Sequence, residues 1–158
     1  MSERCIREFR PEDSGAIGRL FHDAVHRINS RDYSPEEIAA WVPAIPSPDW
    51  ADLRAKTRIV FVAEDATGLL GFAELRADAS HLDCLYTRWD AQGRGVGTEL
   101  LCAVENRARA LGLRHLRTEA SITARPFFER RGFRLLGRQQ VERSGVALVN
   151  YRMEKALG

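Results

Sequence analysis

Three alternate glycines, Gly93, Gly95 and Gly97, stand between a β-patterned run ending at Thr87 and an apolar-striped helical pattern from about Thr98 to Leu111. A backbone stripped of side chains where a helix begins exposes N–H groups that the helix leaves unpaired and positively polarised. A phosphate or pyrophosphate is the natural occupant of such a place. Arg94 adds a forked donor within the run and Thr98 a hydroxyl at the helix start. Two familiar phosphate loops fail on spacing. A dinucleotide fingerprint starting at Gly93 needs glycine where Thr98 stands, and the Gly-Lys-Ser/Thr of a P-loop is absent. A tight strand-to-helix turn without any ligand would use the same glycines.

The elements around this run fix the fold class. Residues 4–9 alternate as a strand, and Pro11 opens a helical pattern with Ile17, Leu20, Phe21, Ala24, Val25 and Ile28 on one face. Ser34-Pro35-Glu36-Glu37 is a capping box, and Ser47-Pro48-Asp49 caps a brief helix carrying Trp50 and Leu53. Residues 57–64 and 69–75 form a hairpin across Ala66-Thr67-Gly68, and residues 81–87 follow as a third strand. After the glycine-led helix come a strand over 113–120, a helix over 123–131 stopped by Gly132, and two strands, 133–142 and 146–154, joined at Ser144-Gly145. The order predicts a mixed α/β (α+β) layer with a strand-helix-strand crossover at the glycines, where ligands of open sheets bind.

Length and charge narrow the function classes. With 158 residues the chain suits a single domain over 1–158 that buries a core without disulfides. A net charge of +2 leaves no overall field for nucleic acid or an anionic membrane. Between Gln92 and Arg143, however, eleven arginines face five glutamates, so the second half favours an anion, although Arg107, Arg109 and Arg114 read as solvated helix faces. Cys5, Cys84 and Cys102 are odd in number and sit in apolar patterns, which predicts buried free thiols and no metal. MSERCIREFR has no apolar signal core and no run approaches bilayer length, so a reducing cytoplasm is the expected compartment.

Gln92-Gly93-Arg94-Gly95-Val96-Gly97, after a strand and before a helix, resembles the pyrophosphate loop Q/R-x-x-G-x-G/A of the GNAT superfamily of acetyl-CoA-dependent N-acetyltransferases. About thirty residues on, Ala124-Arg125-Pro126-Phe127-Phe128-Glu129-Arg130-Arg131-Gly132-Phe133 is similar to that family's A-x-x-[FL]-[YF]-x-x-x-G-F segment. The resemblance covers nearly the whole chain. It implies a mostly antiparallel sheet of about seven strands with a parallel, splayed central pair and helices on both faces. It also implies acetyl-CoA as co-substrate, its pantetheine along Leu85, Tyr86 and Thr87, its pyrophosphate on residues 92–98, and Ser121, Phe127 and Phe128 close by.

Acetyl transfer to an amine needs a neutral nucleophile, an oxyanion donor and a proton for the departing thiolate. Many relatives donate that proton from tyrosine where this chain has Phe128; Tyr151 and Tyr86 are the substitutes on neighbouring strands, with Tyr151 the expected catalytic residue. Glu119, late on the second cleft strand, is the expected base, with Asp83 and His81 as alternatives. Cys84 alternates with Leu82 and reads as core. The irregular 29–53 region is expected to admit the acceptor, with Asp32, Tyr33 and Trp41 presenting an acidic and aromatic surface to a cationic amine, and Asp83 also in contact. The partners expected are a small-molecule or peptide amine, with no nucleic acid and no membrane; a homodimer is compatible with the sequence. A competing class is an acyl-CoA-binding sensor or interaction module without turnover, kept open by Phe128.

Overall fold

The computed structural model describes residues 3–158. Seven strands form one sheet in the order β1-β2-β3-β4-β5-β7-β6. These are β1 (Cys5–Glu8), β2 (Ile59–Asp65), β3 (Gly68–Arg76), β4 (His81–Thr87), β5 (His115–Ser121), β6 (Arg134–Arg143) and β7 (Val146–Ala156). Every neighbouring pair is antiparallel except β4 and β5, the strands joined by the crossover through the glycine run.

Helices cover both faces. On one lie α1 (Ser14–Arg27), α2 (Pro35–Trp41) and α3 (Pro48–Ala55), burying Ile17, Leu20 and Ala51 against Val60, Val62 and Phe72, while Tyr33 and Ile38 pack towards Leu148. On the other lie α4 (Val96–Ala110) and α5 (Arg125–Arg130), where Leu100, Leu101, Val104 and Phe128 close over Leu70, Leu75, Leu82 and Leu116. The apolar stripe expected for α1 points inward at Ile17, Leu20, Ala24 and Val25. The capping box forms as read. The Ser34 hydroxyl accepts from the Glu37 N–H at 3.1 Å, and the Glu37 carboxylate accepts from the Ser34 N–H at 2.8 Å.

Three expectations change. Helix α4 begins at Val96 rather than Thr98, because Gly95, at φ 83°, itself forms the cap. Cys5 and Cys102 are exposed, the first on an edge strand and the second on the outer side of α4. Cys84 and Leu82 do not share a face: Leu82 is buried towards α4, whereas Cys84 packs among α1-side residues. The cause is a bulge. Cys84 pairs with Glu74 and Leu82 with Leu75, so Asp83 is left without a partner and the alternation flips.

Candidate active site

The bulge at Asp83 falls where β4 parts from β5. The two strands pair only at His81–Arg117 and Leu82–Thr118, and the Thr118 hydroxyl closes the last rung by donating to the Leu82 carbonyl at 2.9 Å. Beyond this point the parallel pair splays. Arg88 N–H donates to the Leu70 carbonyl at 2.7 Å. Antiparallel ladders alternate, so Tyr86 and Cys84 also turn their backbone groups to β3, and Leu85 and Thr87 turn theirs to the gap.

Two cavities open on the splay. The first, of about 320 Å³, runs along Leu85, Tyr86 and Thr87 to the glycine run and is walled by Phe127 and Phe128. The second, of about 440 Å³, lies on the α1 side and takes in Tyr33, Trp41, Trp50, Asp83, Glu119 and Asn150. Leu85, Tyr86, Ser121, Ala124 and Phe128 line both. Groups in one cavity can therefore meet groups in the other only through this junction.

The first cavity fits an extended ligand ending in a diphosphate. Gly93 and Gly95 adopt φ of 74° and 83°, which L side chains rarely tolerate, and they aim the chain so that the first amides of α4, at Val96, Gly97 and Thr98, stay unpaired at the cavity wall. Gly97 serves packing instead. A Cβ there would lie 3.1 Å from the Phe127 ring. Gln92 spans back to the Thr87 hydroxyl and pins the loop to the end of β4. Arg94 is half exposed and 3.8 Å from Asp65, outside the cavity lining. The Thr98 hydroxyl accepts from Arg131 Nε at 3.0 Å, so Arg131, stacked over Phe127 at 3.7 Å, joins the wall. Arg130 lines the same wall, and the doubled arginine at the end of α5 is the sequence signal for both. The Thr123 hydroxyl is buried here without a partner among the described residues and faces the same space.

At the junction, the Ser121 hydroxyl oxygen accepts from Asn29 Nδ2 at 3.2 Å and from the Ala124 N–H at 3.0 Å. Its own proton remains free to donate. Burial, with Cys84 and Tyr33 nearby, pushes the Tyr86 phenol well above its ordinary range, so Tyr86 stays protonated. Tyr151 is elsewhere. It is the register partner of Ala120, so its ring points to the α5 face, where Arg125 stacks on it at 4.5 Å, and it lines neither cavity. Glu119 points to the other side, into the second cavity, without an ion pair among the described residues. The structure does not bring Glu119 and Tyr151 together.

In the second cavity Tyr33 is nearly buried, donating to the Val149 carbonyl at 2.6 Å and accepting from the Ile122 N–H at 3.0 Å, with Trp41 edge-on at 5.3 Å. Asp32 is exposed and lies outside the lining. The acidic entrance expected there is replaced by Arg54, Arg76 and Arg143. Burial raises the Asp83 carboxyl, but hydrogen bonds from His81 and Arg58 prevail and carry it down to about 2. A carboxylate held so firmly ionised is a poor proton acceptor. Burial beside Glu74 pushes the Cys84 thiol up, so no thiolate nucleophile stands at the cavity. No cluster with metal-ligand geometry occurs among the described residues. No helix among them is long and apolar enough to cross a membrane.

Comparison with known proteins agrees with this geometry. The acetyltransferase (GNAT) domain family matches residues 29–155. The uncharacterized N-acetyltransferase YafP of Escherichia coli K12 is 33% identical over 155 residues, 97% of this chain and 96% of that protein. The crystal structure of a GCN5-related N-acetyltransferase from Rhodopseudomonas palustris superposes with a TM-score of 0.92 at 33% identity, over 99% of this chain and 98% of that one. A GNAT superfamily phosphinothricin acetyltransferase from Sinorhizobium meliloti, solved in complex with AcCoA, shares the fold with a TM-score of 0.76 at 22% identity, over 98% and 89% of the two chains. The splayed sheet, the glycine-led helix and these matches together establish that the chain belongs to the GNAT family of acetyltransferases.

Proposed function

We propose that this chain, as one domain, moves an acetyl group from acetyl-CoA to a primary amine of a small molecule or peptide, by direct attack within a ternary complex. One observation carries the reading: two cavities of different character meet at the break between β4 and β5 and share Leu85, Tyr86 and Ser121 there. Acetyl-CoA, found with the Sinorhizobium meliloti relative, supplies the activated thioester.

In this reading the amides of Val96, Gly97 and Thr98 hold the diphosphate. Leu85 and Thr87 pair with the pantetheine as a strand added to a free edge. The Leu85 N–H, facing the gap, donates to the thioester oxygen as charge develops on it. Glu119 accepts a proton from the acceptor's nitrogen, directly or through water. Tyr86, held protonated by burial, donates a hydrogen bond to the departing sulfur where Phe128 cannot, and the free Ser121 proton adds a hydrogen bond beside it. The low Asp83 carboxyl and the raised Cys84 thiol give neither a second base nor a covalent route.

The test has two steps. Acetyl-CoA is expected to raise the melting temperature of the purified protein, and a panel of primary amines is expected to release free thiol from it. Stabilisation without thiol release from any amine would instead identify a non-catalytic acyl-CoA binder.

A further inference from the structure

Building on that reading, we infer that the amine acceptor also carries a carboxylate, set apart from its reacting nitrogen, and that Arg76 binds it. The floor of the second cavity holds more guanidiniums than carboxylates. Three guanidiniums, Arg54, Arg58 and Arg76, stand against two buried carboxylates, Glu74 and Asp83. Arg54 Nε engages both oxygens of Glu74, at 2.7 and 3.0 Å. Arg58 Nε takes Oδ2 of Asp83 at 2.7 Å, and His81 Nδ1 takes Oδ1 at 2.5 Å. Both Asp83 oxygens are thus engaged before Arg76 is counted. Arg76 Nε faces Asp83 at 3.5 Å without a hydrogen bond among the described residues, while its side chain, 43% exposed, leaves the rest of the guanidinium open to the cavity that it lines. The open edge of this guanidinium has no acceptor among the described residues, and a guanidinium matches a carboxylate with two parallel bonds.

The other end of the cavity has the opposite shortage. Among the described residues, the side-chain oxygen of Asn150 is buried without a donor, directly across from Ser121 in the β5–β7 register, and Glu119 is two residues away on β5 without a cation. Two acceptors beside the junction suit the N–H groups of an amine. Arg76 is at the level of His81 and Arg117, four residues and about 13 Å of strand below Ser121. The carboxylate is therefore several bonds from the amine rather than on the adjacent carbon.

Matched acceptors test this: 4-aminobutanoate and 6-aminohexanoate against their carboxamides and against hexylamine, at saturating acetyl-CoA, followed by thiol release. The wild-type protein is expected to prefer at least one acid over its carboxamide by about tenfold or more in kcat/KM. That acid-to-amide ratio is expected to fall towards one in Arg76→Gln and to return in part in Arg76→Lys. A wild-type ratio near one for both pairs overturns the inference. So does a ratio that survives Arg76→Gln, or one that depends on Arg143→Gln instead. If no amine releases thiol, the acetyltransfer reading fails separately, and calorimetry of 6-acetamidohexanoate against its carboxamide on CoA-loaded protein decides the matter. Preference for the acid that disappears in Arg76→Gln upholds the carboxylate site; equal or absent binding overturns it.

Discussion

The two cavities that meet at the splay are built from different materials. The cofactor side is mostly backbone: unpaired amides at the start of α4, glycines at positive φ, and strand edges at Leu85 and Thr87. The acceptor side is mostly side chains, gathered from α1, α2, α3, β4, β5 and the β6–β7 hairpin. Under the proposed function, backbone geometry grips what every CoA thioester shares, whereas side chains distinguish one acceptor from another. The first side should therefore fail through conformation and the second through single functional groups.

The largest effect is expected where conformation is forced. Gly95→Val places a β-branched residue at φ 83°, and calorimetry should show acetyl-CoA binding weakened by roughly a hundredfold or more, with the fold intact by circular dichroism. Binding within a few-fold of wild type would erase the distinction. Next comes the junction. Tyr86→Phe keeps the ring between Phe21 and Phe72 but removes the proton, so kcat should fall on the order of a hundredfold while the KM for acetyl-CoA changes little. Glu119→Gln should cost roughly tenfold in kcat/KM at neutral pH and recover as pH rises and free amine becomes abundant. An unchanged pH–rate profile would remove Glu119 from the proton path.

A further effect falls on stability rather than on rate. The Asp83 carboxyl is held at about 2 in the folded chain, below its ordinary value, so its stabilisation is complete above about pH 4 and disappears as pH falls through 2. The shift corresponds to about 2 kcal/mol, and urea titrations of Asp83→Asn should show that loss at pH 7 and little at pH 2. A constant difference across this range would mean that packing, and not charge, holds Asp83 in place.

The contrast also explains what was readable beforehand. The capping box at Ser34, the apolar face of α1, the hairpins and the glycine run are local patterns, decided within a few residues, and they appear in the structure where the sequence put them. Of the motif residues, Gln92, Gly93, Gly95, Val96, Gly97 and Thr98 line the first cavity, whereas Arg94 turns out towards Asp65; Gly97 packs under the Phe127 ring and Thr98 accepts from Arg131. The acceptor side depends on events that no local pattern encodes. One bulge at Asp83 reverses the alternation of β4 and sends Cys84 and Leu82 to opposite faces. Register with Ala120 turns Tyr151 away from Glu119, and hydrogen bonding between distant arginines and two carboxylates leaves Arg76 without a hydrogen bond among the described residues. Burial of thiols failed as an expectation for Cys5 and Cys102 because an edge strand and a helix exterior carry apolar residues too.

The most direct measurement compares three ligands by calorimetry on the wild-type protein: coenzyme A, its 3′-dephospho form, and pantetheine, which lacks the diphosphate. If the bare amides of Val96, Gly97 and Thr98 grip the diphosphate, the first two bind with similar affinity and pantetheine binds at least a hundredfold more weakly. Pantetheine binding as tightly as coenzyme A would contradict the account.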